Sequence, residues 1–129
     1  MAAGEEICAM DAVQLADAIR ARTLSPVEVI DAILERMNRV EPHLHAFCTP
    51  TPELARTEAK RIEAEILAGR DSGPLSGVPV SIKDLIFTRG IRTTSGSVAY
   101  RDFVPDEDDI AVERLRAAGT IIIGKTNTA

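Results

Sequence analysis

The chain has 129 residues, 45% hydrophobic and 27% charged, which is the composition of an ordinary globular domain long enough to bury a core. A net charge of −5, a pI near 5.0, one Tyr, three Phe and no Trp argue against a phosphate-binding surface or base-stacking platforms, so direct nucleic-acid binding is not expected. No apolar run approaches the roughly 20 residues of a membrane span, and the first residues hold neither a basic nor an apolar segment, so a soluble cytoplasmic protein is expected.

The first helical pattern covers residues 11–22, with Val13, Ala16 and Ile19 on one stripe and Leu15 beside it. Ser25-Pro26-Val27-Glu28 then reads as a helix start, with Ser25 as N-cap, Pro26 in the first turn and Glu28 closing a capping box. The helix it opens should run to about residue 40, with Val27, Ile30, Ile33, Leu34, Met37 and Val40 turned inward. Pro42 is expected to break it, and Leu44, Ala46 and Phe47 suggest a short extended stretch. His43 and His45, two residues apart, have no third ligand in the pattern, and Cys8 and Cys48 lack the spacing of a zinc or redox site and read as free thiols. Thr51-Pro52 opens a third helix by the same cap-and-proline arrangement, placing Ala55, Ala59, Ile62 and Ile66 inward and ending at Gly69. A turn-rich linker follows at residues 70–74, dividing a helical layer (1–70) from residues 75–129.

In Gly77-Val78-Pro79-Val80-Ser81-Ile82-Lys83-Asp84, the residues Val78, Val80 and Ile82 occupy one face of a strand, and Ser81 and Lys83 the other. An ammonium at the inner end of such a strand loses hydration, which favours the neutral amine and makes Lys83 the candidate catalytic base. The competing reading is a strand-end lysine reaching water or a nearby carboxylate. Asp84 is a poor partner in a regular strand, an objection that weakens if a turn follows Lys83 directly.

Arg89-Gly90 reads as a turn into a strand over residues 91–93, and the hydroxyl-rich residues 93–97 as either an ordinary turn or a loop lining the lysine's cavity. Asp106, Glu107, Asp108 and Asp109 supply an N-cap and favourable charge to a helix over 110–118, which Gly119 stops; calcium ligation lacks the looped oxygen spacing it needs. Thr120 to Ile123 should be a buried strand, left at an open, apolar edge where the chain ends. Strand, helix and strand together point to an α/β fold: N-terminal helices followed by the start of a mixed, largely parallel sheet covered by helices. Residues 119–126 match the phosphate-loop pattern G-x-x-x-x-G-K-[ST], but a helix precedes Gly119 and three isoleucines stand where a flexible cradle is needed, so nucleotide binding is rejected. Lys125 is then a residue at the end of the strand.

Gly77 to Asp84, then Thr93-Thr94-Ser95-Gly96-Ser97, then residues 112–127 ending in Gly-Lys-Thr-Asn closely resemble the amidase signature family. The resemblance is strong over about fifty residues, in order, and the N-terminal helices suit the same family. It implies a Ser, cis-Ser, Lys triad that hydrolyses carboxamides without metal or organic cofactor, with Lys83 in the position of the family's lysine. The family's two serines lie beyond its Gly-Lys-Thr-Asn stretch, so Ser81, Ser95 and Ser97 take neither role. The chain therefore reads as the N-terminal portion of a longer enzyme acting on a small-molecule amide, inactive by itself. Its assembly would be a homo-oligomer or a complex with amidotransferase partners. The rival within the family is the glutaminase component of a tRNA-dependent amidotransferase. A rival of another class is a truncated, non-catalytic module.

Overall fold

In the computed structural model, which describes residues 3–129, helices α1 (Ala3–Ala9), α2 (Ala12–Arg20) and α3 (Pro26–Leu44) lead into strand β1 (Phe47–Pro50) and helix α4 (Pro52–Leu67). Strand β2 (Pro79–Lys83), a single 3-10 turn at Val98–Tyr100, helix α5 (Ile110–Ala117) and strand β3 (Ile121–Thr126) complete the order. The three strands form one mixed sheet in the order β1-β3-β2, with β3 antiparallel to β1 and parallel to β2.

Two helix starts follow directly from local chemistry. Asp11 accepts from Gln14 N (2.8 Å) while Gln14 Oε1 accepts from Asp11 N (2.9 Å), and Ser25 and Glu28 make the same reciprocal pair at α3 (3.0 and 2.9 Å). Each box satisfies two N–H groups that the helix cannot, an effect of about 1 kcal/mol. Asp109 likewise caps α5 by accepting from Ala111 N (2.9 Å).

Other elements depart from the sequence pattern for identifiable reasons. Helix α1 was not expected; it buries none of its residues fully, but Ile7 and Met10 at its end pack against the cluster of Leu15, Ala16, Ile19, Val29 and Val78. Val13 is 66% exposed, because the inward face of α2 is centred on Leu15, Ala16 and Ile19. Helix α3 runs through Pro42, which stands in its last turn and loses only its own N–H bond there. His45 then closes the helix in the left-handed conformation (φ 50°), and the Glu41 carboxylate accepts from Ala46 N and Phe47 N (2.7 and 2.9 Å). Thr51 precedes α4 without capping it, its hydroxyl turning instead to Ile122 O (3.4 Å). Residues 91–93 form no strand, because Arg92 is held by Thr49 Oγ1 (3.0 Å), Cys48 O (2.9 Å) and Arg101 O (3.0 Å), none of them in strand pairing. The expected open edge at residues 120–123 is also overturned: β3 is the central strand, and β2 has a neighbour on one side only among the described residues.

The core lies on both faces of the sheet. Ile30 and Leu34 of α3 and Ala55, Ala59 and Ile62 of α4 pack on Ile121 and Ile123, while Val112 of α5 and Ile91 pack with Ile82 and Ile122 on the other face. Full burial of each Ile or Leu contributes roughly 1.5–3 kcal/mol. Gly119 joins α5 to β3 at φ 92°, where a Cβ would stand 2.3 Å from Ser72 O. The linker therefore runs tightly beside it, with Leu75 N and Gly77 N bonded to Ala118 O (2.8 Å) and Gly119 O (2.9 Å).

Candidate active site

Lys83 ends β2, opposite Thr126 of β3, and its side chain is exposed, as is Ser81 two residues earlier. The alternation holds within β2, where Ile82 and the half-buried Val80 pack on the α5 side and Ser81 and Lys83 face away from them, but Val78, just before the strand, turns instead to Leu15, Ala16, Ile19 and Val29 and does not share their face. The expected burial of Lys83 is not found among the described residues. The buried lysine is Lys125, without exposed surface, and it is not the strand-end residue the sequence suggests.

A bulge puts it there. Val80 pairs with Ile122 but Ser81 pairs with Gly124, so β3 carries an extra residue and its side-chain alternation slips by one. Without the slip Lys125 would share a face with Ile121 and Ile123; with it, Lys125 lies opposite Ile82 and on the α5 side of the sheet. Gly124 makes this conformation accessible at φ 153°, and a Cβ there would stand 2.8 Å from both Phe47 Cδ1 and Thr49 O.

Lys125 Nζ donates to Ile86 O (2.8 Å) and Thr93 Oγ1 (2.7 Å) and lies 3.9 Å from Asp84 Oδ1. Asp84 is 1% exposed and follows Lys83 at a turn, so its carboxylate swings to the face opposite Lys83, where it accepts from Thr94 N (3.2 Å) and Thr94 Oγ1. Burial pushes the Lys125 ammonium down from its ordinary 10.5, and the Asp84 carboxylate opposes the shift. Burial, with Asp84 beside it, pushes the Cys48 thiol up from 9.0, the direction of an unreactive thiol. Cys8 and Cys48 are both free.

A lysine hydrogen-bonded to a threonine hydroxyl has the outline of a nucleophile-base pair, but the environment opposes that use. Thr93 has no exposed surface, and its hydroxyl donates to Ile91 O (3.1 Å) while accepting from Lys125. Neither group can meet a substrate. The hydroxyl-rich residues 93–97 thus serve a lysine cavity, but that of Lys125 rather than Lys83. Sequence reasoning missed Asp84, Thr93 and Lys125 as a cluster; the available signal was a glycine inside an isoleucine-rich strand, which marks a bulge.

No group of three or more His, Cys, Asp and Glu side chains among the described residues is placed to hold a metal ion, and no described helix is long and apolar enough to cross a membrane. A cleft of about 290 Å³ walled by Arg20, Arg22, Arg70 and Ser72 includes neither lysine.

The family described as Amidase matches residues 28–129, a span holding Lys83, Asp84, Thr93 and Lys125. The chain belongs to the amidase family. Among its relatives, the A-type subunit of the glutamyl-tRNA(Gln) amidotransferase of Carboxydothermus hydrogenoformans is 41% identical over 122 residues, covering 95% of this chain and 25% of that protein. Among solved structures, the native peptide amidase of Stenotrophomonas maltophilia superposes with a TM-score of 0.85 at 34% identity, over 92% of this chain and 25% of that one. A fatty acid amide hydrolase superposes with a TM-score of 0.93 over all of this chain and 23% of its own; at 22% identity it attests the fold alone. The chain thus spans about a quarter of the length of the curated relatives it matches. Its helices and small mixed sheet are the fold of the corresponding part of amidase-signature enzymes.

Proposed function

We propose that this chain supplies the lysine of an amide-hydrolysing active site, and that the whole protein cleaves a carboxamide by serine chemistry with Lys83 as the base. The observation that carries the reading is the contrast between the lysines of β2 and β3. Lys125 is buried and held by fixed partners, whereas Lys83 is exposed at the end of β2. In the proposed reaction a bridging serine gives its proton to Lys83 Nζ as it takes the proton of the nucleophilic serine, whose oxygen attacks the amide carbonyl. The C–N bond then breaks, the leaving amine takes the proton back, and water hydrolyses the acyl-enzyme. In this reading neither serine is among the described residues.

The similarity to a glutamyl-tRNA(Gln) amidotransferase component supports a second reading, in which the same chemistry releases ammonia from glutamine for partner proteins. Chemistry at Lys83 is the same in both. The test is turnover and melting temperature of Lys83→Ala and Lys83→Arg in the full-length enzyme. Both variants should fold and lose several orders of magnitude in kcat, because a guanidinium keeps its proton at working pH. An active, well-folded Lys83→Arg enzyme would refute the assignment. Ammonia release from glutamine that rises when the other amidotransferase components are added would favour the second reading over a stand-alone amidase.

A further inference from the structure

The backbone that presents Lys83 is fastened from behind. Lys83 O accepts from Ile86 N (2.9 Å), closing a tight turn directly after the strand, and Ile86 O accepts from Lys125 Nζ (2.8 Å). One hydrogen-bonded turn therefore separates the peptide of Lys83 from the Lys125 ammonium. The other end of the same loop returns to the same point. Thr93 Oγ1 takes a second Lys125 bond (2.7 Å), Thr94 donates its N–H and hydroxyl to the Asp84 carboxylate, and Ser95 N donates to Asp84 O (2.9 Å). Asp84 N in turn donates to Thr126 O (2.9 Å), tying the turn to the central strand.

We infer that Lys125, Thr93 and Asp84 form a positioning clamp for Lys83, holding the turn after β2 so that the Lys83 amine stands at a fixed place on the opposite face of the sheet. The inference rests on the reading of Lys83 as the base. The clamp residues touch no substrate, since Lys125 and Thr93 are wholly buried and Asp84 nearly so. They act on the reaction only through the backbone of residues 83–86 and 93–95. A general base a fraction of an ångström out of place loses rate more than substrate affinity, because proton transfer depends on reach far more steeply than binding does.

Thr93 is the position that separates positioning from stability, because valine copies its shape without the hydroxyl and serine keeps the hydroxyl without the methyl. In the full-length enzyme, Thr93→Val should lower kcat at least tenfold with KM within about twofold, assayed well below its melting temperature, and Thr93→Ser should return kcat to within about threefold of the parent. Hydrogen exchange at the Ile86 amide should quicken in Thr93→Val and not in Thr93→Ser. Equal losses in both variants, or a Thr93→Val enzyme that melts earlier but turns over normally, would overturn the clamp. If Thr93→Val does not fold, Thr94→Val removes one hydroxyl from Asp84 while leaving the Thr94 N–H in place. It should lower kcat at least threefold at unchanged KM, and normal turnover there overturns the inference. Lys83→Arg run in parallel separates the two readings. An inactive Lys83→Arg beside a fully active Thr93→Val removes the clamp alone, whereas an active Lys83→Arg removes the base, and the clamp's purpose with it.

Discussion

Lys83 and Lys125 stand one step apart in register on adjacent parallel strands, yet one is exposed and the other has no exposed surface at all. Lys83 pairs with Thr126 and Lys125 with Ile82, so the two amines leave the sheet in opposite directions. Their chemistry is alike and their surroundings are not.

Amine acylation reads this contrast directly. Under native conditions a short pulse of acetic anhydride should modify Lys83 and the exposed Lys60 at comparable rates, and Lys125 at least a hundredfold more slowly, since it is reached only when the sheet opens. Peptide mass spectrometry gives the three rates from one sample. Lys125 reacting as fast as Lys60 would contradict the buried placement.

Removing the Lys125 amine strands Asp84 and one acceptor on Thr93, so Lys125→Met should cost about 3–5 kcal/mol in denaturant unfolding. The cost should depend on pH in a defined direction. Because burial depresses the Lys125 pKa, the unfolded chain binds more protons than the folded one between that depressed value and 10.5. Stability contributed by Lys125 therefore rises with pH through that window, and the difference between parent and Lys125→Met should widen as pH approaches 10.5. A difference that narrows over the same range would contradict the shift.

Gly124→Ala tests the bulge. The added methyl would meet Phe47 Cδ1 and Thr49 O at 2.8 Å on a backbone at φ 153°, a combination costing roughly 2–4 kcal/mol. Relief by straightening β3 would turn Lys125 off its partners, so its acetylation should speed up along with the loss of stability. A stable Gly124→Ala chain with Lys125 still protected would show that the bulge does not need its glycine.

The isolated chain should release no ammonia from glutamine, acetamide or benzamide, because the proposed reaction needs a bridging and a nucleophilic serine, and Ser81, Ser95 and Ser97 take neither role. Steady release by preparations free of contaminating amidase, abolished by Lys83→Ala, would contradict this.

What could be read from the sequence was what is decided locally. The capping box at Ser25 and the cap supplied by the acidic run before α5 involve residues two or three apart, and both formed, as did an unexpected box of the same kind at Asp11. Of the expected face of Val78, Val80 and Ile82, the part inside β2, Val80 and Ile82, formed, while Val78 before the strand turned to the α2 and α3 cluster. What escaped depends on partners distant in sequence. Arg92 is drawn out of strand geometry by Thr49 and Cys48, more than forty residues earlier, and Val13 is exposed because Leu15, not Val13, faces Val29 and Val78. Lys125 was misplaced for the subtlest reason: its face is set by an extra residue in pairing with β2, and alternation counted along β3 alone gives the wrong side.

Residues 119–126 carry a further consequence for how short patterns are interpreted. Their first glycine answers to crowding by Ser72 at the end of α5, and their second to crowding by Phe47 and Thr49 beside a bulge, two unrelated steric demands that happen to fall five residues apart. Any chain in which a helix stop, a four-residue run and a bulged Gly-Lys-Thr follow one another will be scored as a nucleotide-binding loop by letter matching. The discriminating letters are the ones the pattern leaves free. Branched residues between the glycines mark a strand that hides its lysine, and small ones a loop that offers it to phosphate.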